Sequence, residues 1–456
     1  MISLPLQRLA EIVGAAPAEF ADTSFSGVTI DSRQPCEGKL FVAIRGDNFD
    51  GHQFVQAAFQ NGAIAALVEA PQDCEIAQLQ VADCKLAMAR LANFWRHHCD
   101  PCVIGLTGSN GKTTVKEMLY RVLAGDAPTL ATQGNFNNDI GVPLTLFGLK
   151  PGHRYAVIEM GANHRGEIAR LAEIAEPDIV YVNNVAAAHL AGFGDIQGVI
   201  EAKGEIYAYC GPSQRALFNV DEVASQYWRE HCAALTSLNC GLDKSADVSA
   251  SWSIKGEQLV IEFSYRDKTA SCELAVIGEH NVRNALAAVS LALLAGLELE
   301  SAVANLAGFS GVKGRLQILA GPARSRLIDD SYNANPDSLE AGIKVLCSLK
   351  GEPWLALGDM GELGDDEVEL HRQAARSARR QGVSKLFGVG EMSCIASREF
   401  GDGGACYDDI DELANAIRAQ LHPGVNLLVK GSRAAGMERL IKSLTQDDGA
   451  GGCNAV

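Results

Sequence analysis

A lysine held between a glycine and two threonines suits a triphosphate, and residues 105–114 read GLTGSNGKTT. Gly108 and Gly111 let the backbone turn N–H groups inward on phosphate oxygens. The helix that starts at the threonines adds partial positive charge at its N-terminus. Lys112 supplies a point charge to the outer phosphates, and Thr113 a hydroxyl at the usual place of Mg2+. Ser109, Asn110 and Thr114 complete the cradle. A strict G-x-x-x-x-G-K-[ST] loop needs glycine where this chain has Leu106, so the glycine has moved to Gly108 and the loop is tighter. The plainer alternative is a glycine-rich turn with a chance lysine. GKTT directly after an apolar strand argues against it.

Three further residues belong to the same chemistry. YAVIEMG ends with Glu159, DIVYVNNVAAAHL carries His189 just past its strand, and EAKGEIYAY places Lys203 in the first turns of a helix. A carboxylate is a hard ligand for Mg2+. Histidine is a less usual one and points to a second metal position. By spacing alone Glu159 also fits a surface residue, His189 a hydrogen-bonding loop residue and Lys203 an exposed helix lysine. A neutral lysine adds CO2 to give a carbamate, an acquired carboxylate suited to a divalent cation.

These residues need a sheet edge to hold them, and the pattern supplies one. From about 84 to 312 strand and helix alternate: CVIGLT, YAVIEMG and DIVYVNNV as strands, TTVKEMLYRVL, RGEIARLAEIAE and GVIEAKGEIYAYC as helices. That rhythm predicts a mostly parallel sheet with helices on both faces, with ligands beyond the carboxyl ends of its strands. Residues 249–277 alternate polar and apolar, as an antiparallel insert or edge would, and a helix over 281–296 closes the block. Residues 1–83 read as short strands and turns with one helix near Phe54–Asn61. Residues 313–456 alternate again (SRLIDD, PWLALGD, KLFGVG and NLLVKG as strands) and predict a second, smaller open α/β sheet. The fold class is α/β in three domains, 1–83, 84–312 and 313–456, the central one of phosphate-loop type.

The bulk properties narrow the partners. A net charge of −17, from 39 basic and 56 acidic residues, lacks the basic footprint of general nucleic-acid binding. The opening residues carry no basic region followed by a long apolar run, and the longest apolar stretch is too short to span a bilayer. A cytoplasmic protein with no membrane span is expected, acting as a monomer. The thirteen scattered cysteines then read as reduced thiols. Cys99 and Cys102 have CxxC spacing beside two histidines, but no second ligand pair is near. A helix end entering a buried strand is the reading preferred over a metal or redox site.

Taken together, GLTGSNGKTT, EMG with Glu159, HLAGFG from His189, EAKGE around Lys203 and GEHNVRNALAA (278–288) resemble the Mur ligases of peptidoglycan synthesis. The family's loop is G-x-T-G-S-x-G-K-T, which accounts for Leu106. GNFNNDIGVPLTL (134–146), DDSYNANPDS (329–338) and LVKGSRAAGMERL (428–440) resemble the members that attach D-alanyl-D-alanine to UDP-N-acetylmuramoyl-tripeptide. The D-N-P-R motif of the diamino-acid-adding sibling is absent. The resemblance implies an N-terminal α/β domain for the UDP-sugar, a central ATP-binding domain and a C-terminal Rossmann-like domain that closes over the site. It implies ATP and two Mg2+ ions as cofactors, an acyl-phosphate intermediate, and roles in cell wall biogenesis, cell shape and division.

The resemblance also distributes residues. Gly108, Ser109, Asn110, Gly111, Lys112, Thr113 and Thr114 would hold the triphosphate. Thr113 and Glu159 would bind one Mg2+, and His189 with a carbamylated Lys203 a second. Asn281 and Asn284 resemble adenine-side contacts; a helix-face amide with no ligand is the alternative for Asn284. Arg315 and Asp330 would reach the nucleotide only when the third domain closes, or else are surface charges. Asp31, Ser32 and Arg33 would face UDP, or else form an Asx turn. Asn135, Asn137 and Asn138 would meet the peptidyl substrate, or else simply shape their loop. Asn333 and Asn335 would help bind the dipeptide, and Lys430 and Arg433 substrate carboxylates, with a solvated helix start as the alternative for the last two. Two rivals stay open: another amide ligase of this fold, such as the diamino-acid-adding sibling or a folylpolyglutamate-type ligase, and a nucleotide switch or transport ATPase. A Walker B strand ending in aspartate would favour the latter, and the corresponding strand here ends in Glu159.

Overall fold

The computed structural model describes residues 1–16, 23–46, 49–186, 190–211, 213–234, 236–256 and 258–446. Its centre is a nine-stranded sheet that begins from three buried strands. Cys102–Thr107 lies between Tyr155–Glu159 and Ile179–Val182, and pairs in parallel with both. Their side chains alternate across the sheet, as a period of two requires. Val103, Ala156, Ile158, Val180 and Val182 pack on one face with the helices Cys84–Cys99, Glu167–Ala175 and Ile196–Ala208. Ile104, Leu106, Val157 and Tyr181 pack on the other, with Lys112–Ala124 and Glu279–Leu294. The antiparallel insert expected over 249–277 is a meander, Val248–Lys255, Gln258–Tyr265 and Lys268–Leu274, that extends this sheet at one end.

Before it, Val28–Thr29, Leu40–Val42, Ala65–Val68 and Ala77–Gln80 form a four-stranded parallel sheet. The expectation of a single helix in this region is corrected. Leu6–Val13 is helical as well, because Leu6, Leu9, Ala10 and Val13 fall on one face and are all buried, and Gly14 ends it in a left-handed conformation. That helix shares a core with Cys84–Cys99, and Met1 and Ile2 bond to Leu149 and Phe147 of the central block.

After it, a six-stranded sheet holds the four expected strands as Arg326–Asp330, Val425–Lys430, Glu352–Gly358 and Lys385–Val389, all parallel. Two short edge strands, Gln317–Ala320 and Gly404–Tyr407, and the helix Glu391–Phe400 escaped the pattern reading. The edge strands are mostly only half-buried, so they lack the continuous apolar run that marks the inner four. The packing of Gly404–Tyr407 against Glu391–Phe400 joins Cys394 to Cys406 in a disulfide, which corrects the expectation that every cysteine is a free thiol. Cys99 is the last residue of its helix and Cys102 the first of its strand, and both thiols are free. No helix among the described residues is long and apolar enough to cross a membrane.

Candidate active site

The carboxyl ends of the three central strands open on a cavity of about 770 Å3. Its floor is the 108–111 loop. Gly108 has φ +148 and Gly111 φ +76, backbone that side chains rarely adopt. A Cβ on Gly111 would stand 2.7 Å from both Asn183 Nδ2 and Asn284 Oδ1, so glycine is required by space as well as by conformation. Two asparagines from the neighbouring strand end fix the loop. Asn184 accepts from Ser109 N through its carbonyl (3.0 Å) and from Asn110 N through Oδ1 (2.8 Å). Asn183 Nδ2 donates to Asn110 O at 2.8 Å. Lys112 Nζ bends back to Gly108 O at 2.7 Å. Burial lowers its ammonium below the usual lysine value, opposed by Glu159 and assisted by Arg315.

Glu159 is 2% exposed and sits on the wall of this cavity. Its backbone N donates to Thr132 Oγ1 (3.0 Å), and its Oε1 accepts from Asn137 Nδ2 (2.9 Å). Its Oε2 is buried with no hydrogen-bond partner among the described residues. A buried carboxylate oxygen left without a donor is costly in isolation and suits a cation. Asn135 and Asn138 line the same wall. Asn138 Oδ1 accepts from Gly141 N (2.8 Å) at the start of the helix Gly141–Leu146, so it also shapes its own loop.

Lys203 is almost fully buried behind Ala162, to whose carbonyl it donates at 3.4 Å, and its ammonium lies 5.4 Å from the centre of the Phe193 ring. Burial, then repulsion from Lys112, lowers its pKa to about 7, although Glu167 and Glu205 oppose the shift. The exposed-lysine alternative is therefore excluded. His189 lies outside the described residues.

The helix Glu279–Leu294 and the third sheet close the other side. Asn281 and Asn284 are buried and line the cavity. Asn284 Oδ1 accepts from Asn183 at 3.2 Å, so the bare helix-face alternative does not describe it. Arg315 donates to Thr113 Oγ1 at 3.2 Å, and Asn335 Nδ2 to Asn110 Oδ1 at 3.0 Å. The third sheet thus already touches the loop. Asp330 and Lys430 form a buried ion pair in the cavity wall, and Lys430 also donates to Asn333 O at 3.0 Å. Asn333 Oδ1 accepts from Ala334 N.

Four expected residues lie elsewhere. Asp31, Ser32 and Arg33 are on the four-stranded sheet's first turn, where Arg33 pairs with Asp31 at 2.8 Å and holds its carboxyl at about 2. Arg433 is 62% exposed, pairs with Glu438 and stands outside the cavity lining, its guanidinium 5.8 Å from the centre of the Tyr332 ring. Residues not picked out from the sequence also line the cavity: Asn183, Asn184, Glu222, His280, Arg283 and Tyr332. His280 and Arg283 stand inside GEHNVRNALAA, and the paired asparagines stand inside VNNV at a strand's carboxyl end. Those positions were the available signal.

The architecture is a phosphate-loop sheet with a smaller α/β sheet docked on its loop, and the chain belongs to the Mur ligase family. It matches "Mur ligase family, catalytic domain" over residues 24–96, "Mur ligase middle domain" over 106–292 and "Mur ligase, glutamate ligase domain" over 314–433. More particularly, it is 38% identical over 452 residues to the UDP-N-acetylmuramoyl-tripeptide–D-alanyl-D-alanine ligase of Escherichia coli, covering 98% of this chain and 99% of that one. A crystal structure of MurF from Acinetobacter baumannii superposes with a TM-score of 0.90 at 35% identity, covering 97% and 99% of the two chains. The MurF ligase of Thermotoga maritima in complex with ADP superposes with a TM-score of 0.82 at 26% identity, covering 92% and 96%.

Proposed function

We propose that this protein is the ATP-dependent ligase that joins D-alanyl-D-alanine to UDP-N-acetylmuramoyl-tripeptide, giving ADP and phosphate, in peptidoglycan synthesis. One observation carries the site reading. The lysine loop, a buried carboxylate with one oxygen unpaired among the described residues, and an arginine just ahead of the third sheet face one cavity. Near-full-length similarity to ligases of that name supports the choice of substrates.

A carboxylate is a poor electrophile because its leaving group would be oxide. The terminal carboxylate of the tripeptide attacks the γ-phosphorus of ATP and ADP departs, leaving an acyl phosphate. The amine of D-alanyl-D-alanine then attacks the acyl carbon, the tetrahedral adduct collapses, and phosphate and a proton are released. Ser109, Asn110, Gly111, Lys112 and Thr114 hold the triphosphate, with Gly108 setting the turn. Lys112 and Arg315 screen the approach of two anions. Asp330 lies on the nucleotide side with Arg315, and Asn281 and Asn284 on the adenine side. Asn135, Asn137 and Asn138 face the peptide, Asn333, Asn335, Lys430 and Arg433 the third-sheet side of the substrates, and Asp31, Ser32 and Arg33 the UDP group.

The donor set fits Mg2+, because Glu159 Oε2 is a buried carboxylate oxygen without a donor among the described residues. Glu159 and Thr113 would hold one ion, and His189 with a carbamylated Lys203 a second, supplying charge neutralisation between γ-phosphate and carboxylate. We divide the chain into a UDP-sugar domain to residue 83, an ATP domain to 312 and a closing domain beyond. The protein works as a cytoplasmic monomer, and its product serves cell shape and division.

Purified protein given ATP and UDP-tripeptide should release phosphate only when D-alanyl-D-alanine is added. Release that instead requires a free diamino acid or glutamate would assign it to a sibling ligase. Release with neither acceptor would make it a nucleotide switch or transport ATPase.

A further inference from the structure

The most completely bonded side chain beneath the loop is one to which the reaction assigns no role. Asn183 is 4% exposed. Its Oδ1 accepts from Tyr181 OH at 3.1 Å, and Nδ2 donates to Asn110 O at 2.8 Å and to Asn284 Oδ1 at 3.2 Å. Both amide hydrogens and the carbonyl are engaged, so the amide has one orientation, set at its far end by the tyrosine hydroxyl. Gly111 packs directly on it, since a Cβ there would meet Asn183 Nδ2 at 2.7 Å.

The consequence follows from peptide geometry. In a trans peptide the C=O of one residue and the N–H of the next point in opposite directions. Asn183 draws Asn110 O down beneath the loop, which turns the N–H of Gly111 the other way, and Gly111 lines the cavity. The N–H groups of Ser109 and Asn110 are taken by Asn184. The loop therefore does not present all its N–H groups to a ligand. It presents a selected set, and the selection is made from the neighbouring strand.

We propose that Asn183 is a positioning residue for phosphate binding. By holding Asn110 O beneath the loop it aims the Gly111 N–H at the triphosphate. It acts through the loop, to which it is bonded at Asn110 O. The proposal rests on the reading of this cavity as the nucleotide site.

The test compares the wild type with Asn183→Asp and Asn183→Ala. The first keeps the shape but places an acceptor against Asn110 O and Asn284 Oδ1, and the second removes all three bonds. Binding of ADP, inorganic tripolyphosphate and UDP-tripeptide is measured by calorimetry, together with turnover of ATP. Affinity for tripolyphosphate, which has no base, should fall about tenfold or more, as expected for a buried carbonyl left without its donor. Affinity for ADP should fall at least as much, because Asn284 on the adenine side loses a partner as well. The KM for ATP should rise, and UDP-tripeptide affinity should be unchanged. Unchanged affinity for tripolyphosphate in either folded variant would overturn the proposal, as would equal losses for UDP-tripeptide, which would make Asn183 a general structural residue. A loss confined to ADP would also overturn it and place Asn183 at the base. If Asn183→Asp does not fold, Asn183→Ala decides alone. A wild type that binds neither ADP nor tripolyphosphate would instead defeat the functional reading.

Discussion

Glu159 and Lys203 show how much a single side chain's surroundings decide. One oxygen of Glu159 has a donor and the other has none among the described residues. Replacing that carboxylate by Glu159→Gln keeps its size and removes its charge. The Mg2+ concentration for half-maximal turnover should rise tenfold or more, about 1.4 kcal/mol per decade, with little change in melting temperature. An unchanged Mg2+ dependence would remove Glu159 from the metal site. Lys203→Ala should be inactive and partly rescued by short carboxylic acids, since a free acid replaces the carbamate. Equal failure with and without acid would argue against carbamylation. At this scale the sequence was informative about residue type and poor about surroundings. GKTT and Glu159 could be read because a strand end and a helix start are local. The burial of Lys203 depends on Ala162 and Phe193, packed against it from other parts of the chain.

At the scale of the element, the helix Pro336–Ser348 is the instructive case. Asn335 caps it, with Oδ1 accepting from Ser338 N at 2.8 Å and the serine returning the bond in a capping box. The other half of the same amide donates to Asn110 of the phosphate loop. Structure and site therefore share one side chain, and two substitutions separate them. Asn335→Ala should lose about 1 kcal/mol of stability in denaturant titrations through the lost cap and raise the KM for ATP. Asn335→Asp retains the cap, so it should keep the stability and raise the KM alone. Equal stability in both variants would show that the cap contributes nothing. The inner strands were legible because they are buried on both faces and read as apolar runs. The helix Leu6–Val13 was missed because its buried face is only four residues long. The edge strands were missed because only an existing sheet gives them a partner.

Across the whole molecule, the central and third sheets meet at groups that titrate. His280 stands in the first turn of the helix Glu279–Leu294 and feels the charge of Lys430 from the third sheet. Burial first, then Lys430, lowers its pKa from 6.5 to about 4, against the opposing charge of Glu279. The folded state then binds fewer protons than the unfolded state between those values. Above pH 6.5 the group costs nothing; as pH falls from 6.5 to 4 stability is lost, and below 4 the loss is complete. His280→Asn should flatten that part of the stability profile, and two profiles that run parallel between pH 4 and 6.5 would contradict the assignment. This apposition was not legible in the sequence. Arg315 and Asp330 were expected at the nucleotide only after closure, whereas Arg315 already bonds to Thr113. The distance between two sheets is set by their packing and leaves no periodic trace in either.

The central claim is that the tripeptide's carboxylate oxygen is phosphorylated before the amide forms. UDP-tripeptide labelled with 18O in its terminal carboxylate, incubated with ATP and D-alanyl-D-alanine, tests it directly. One labelled oxygen should appear in each phosphate released. Phosphate free of label, formed at the same rate as the amide, would contradict the account.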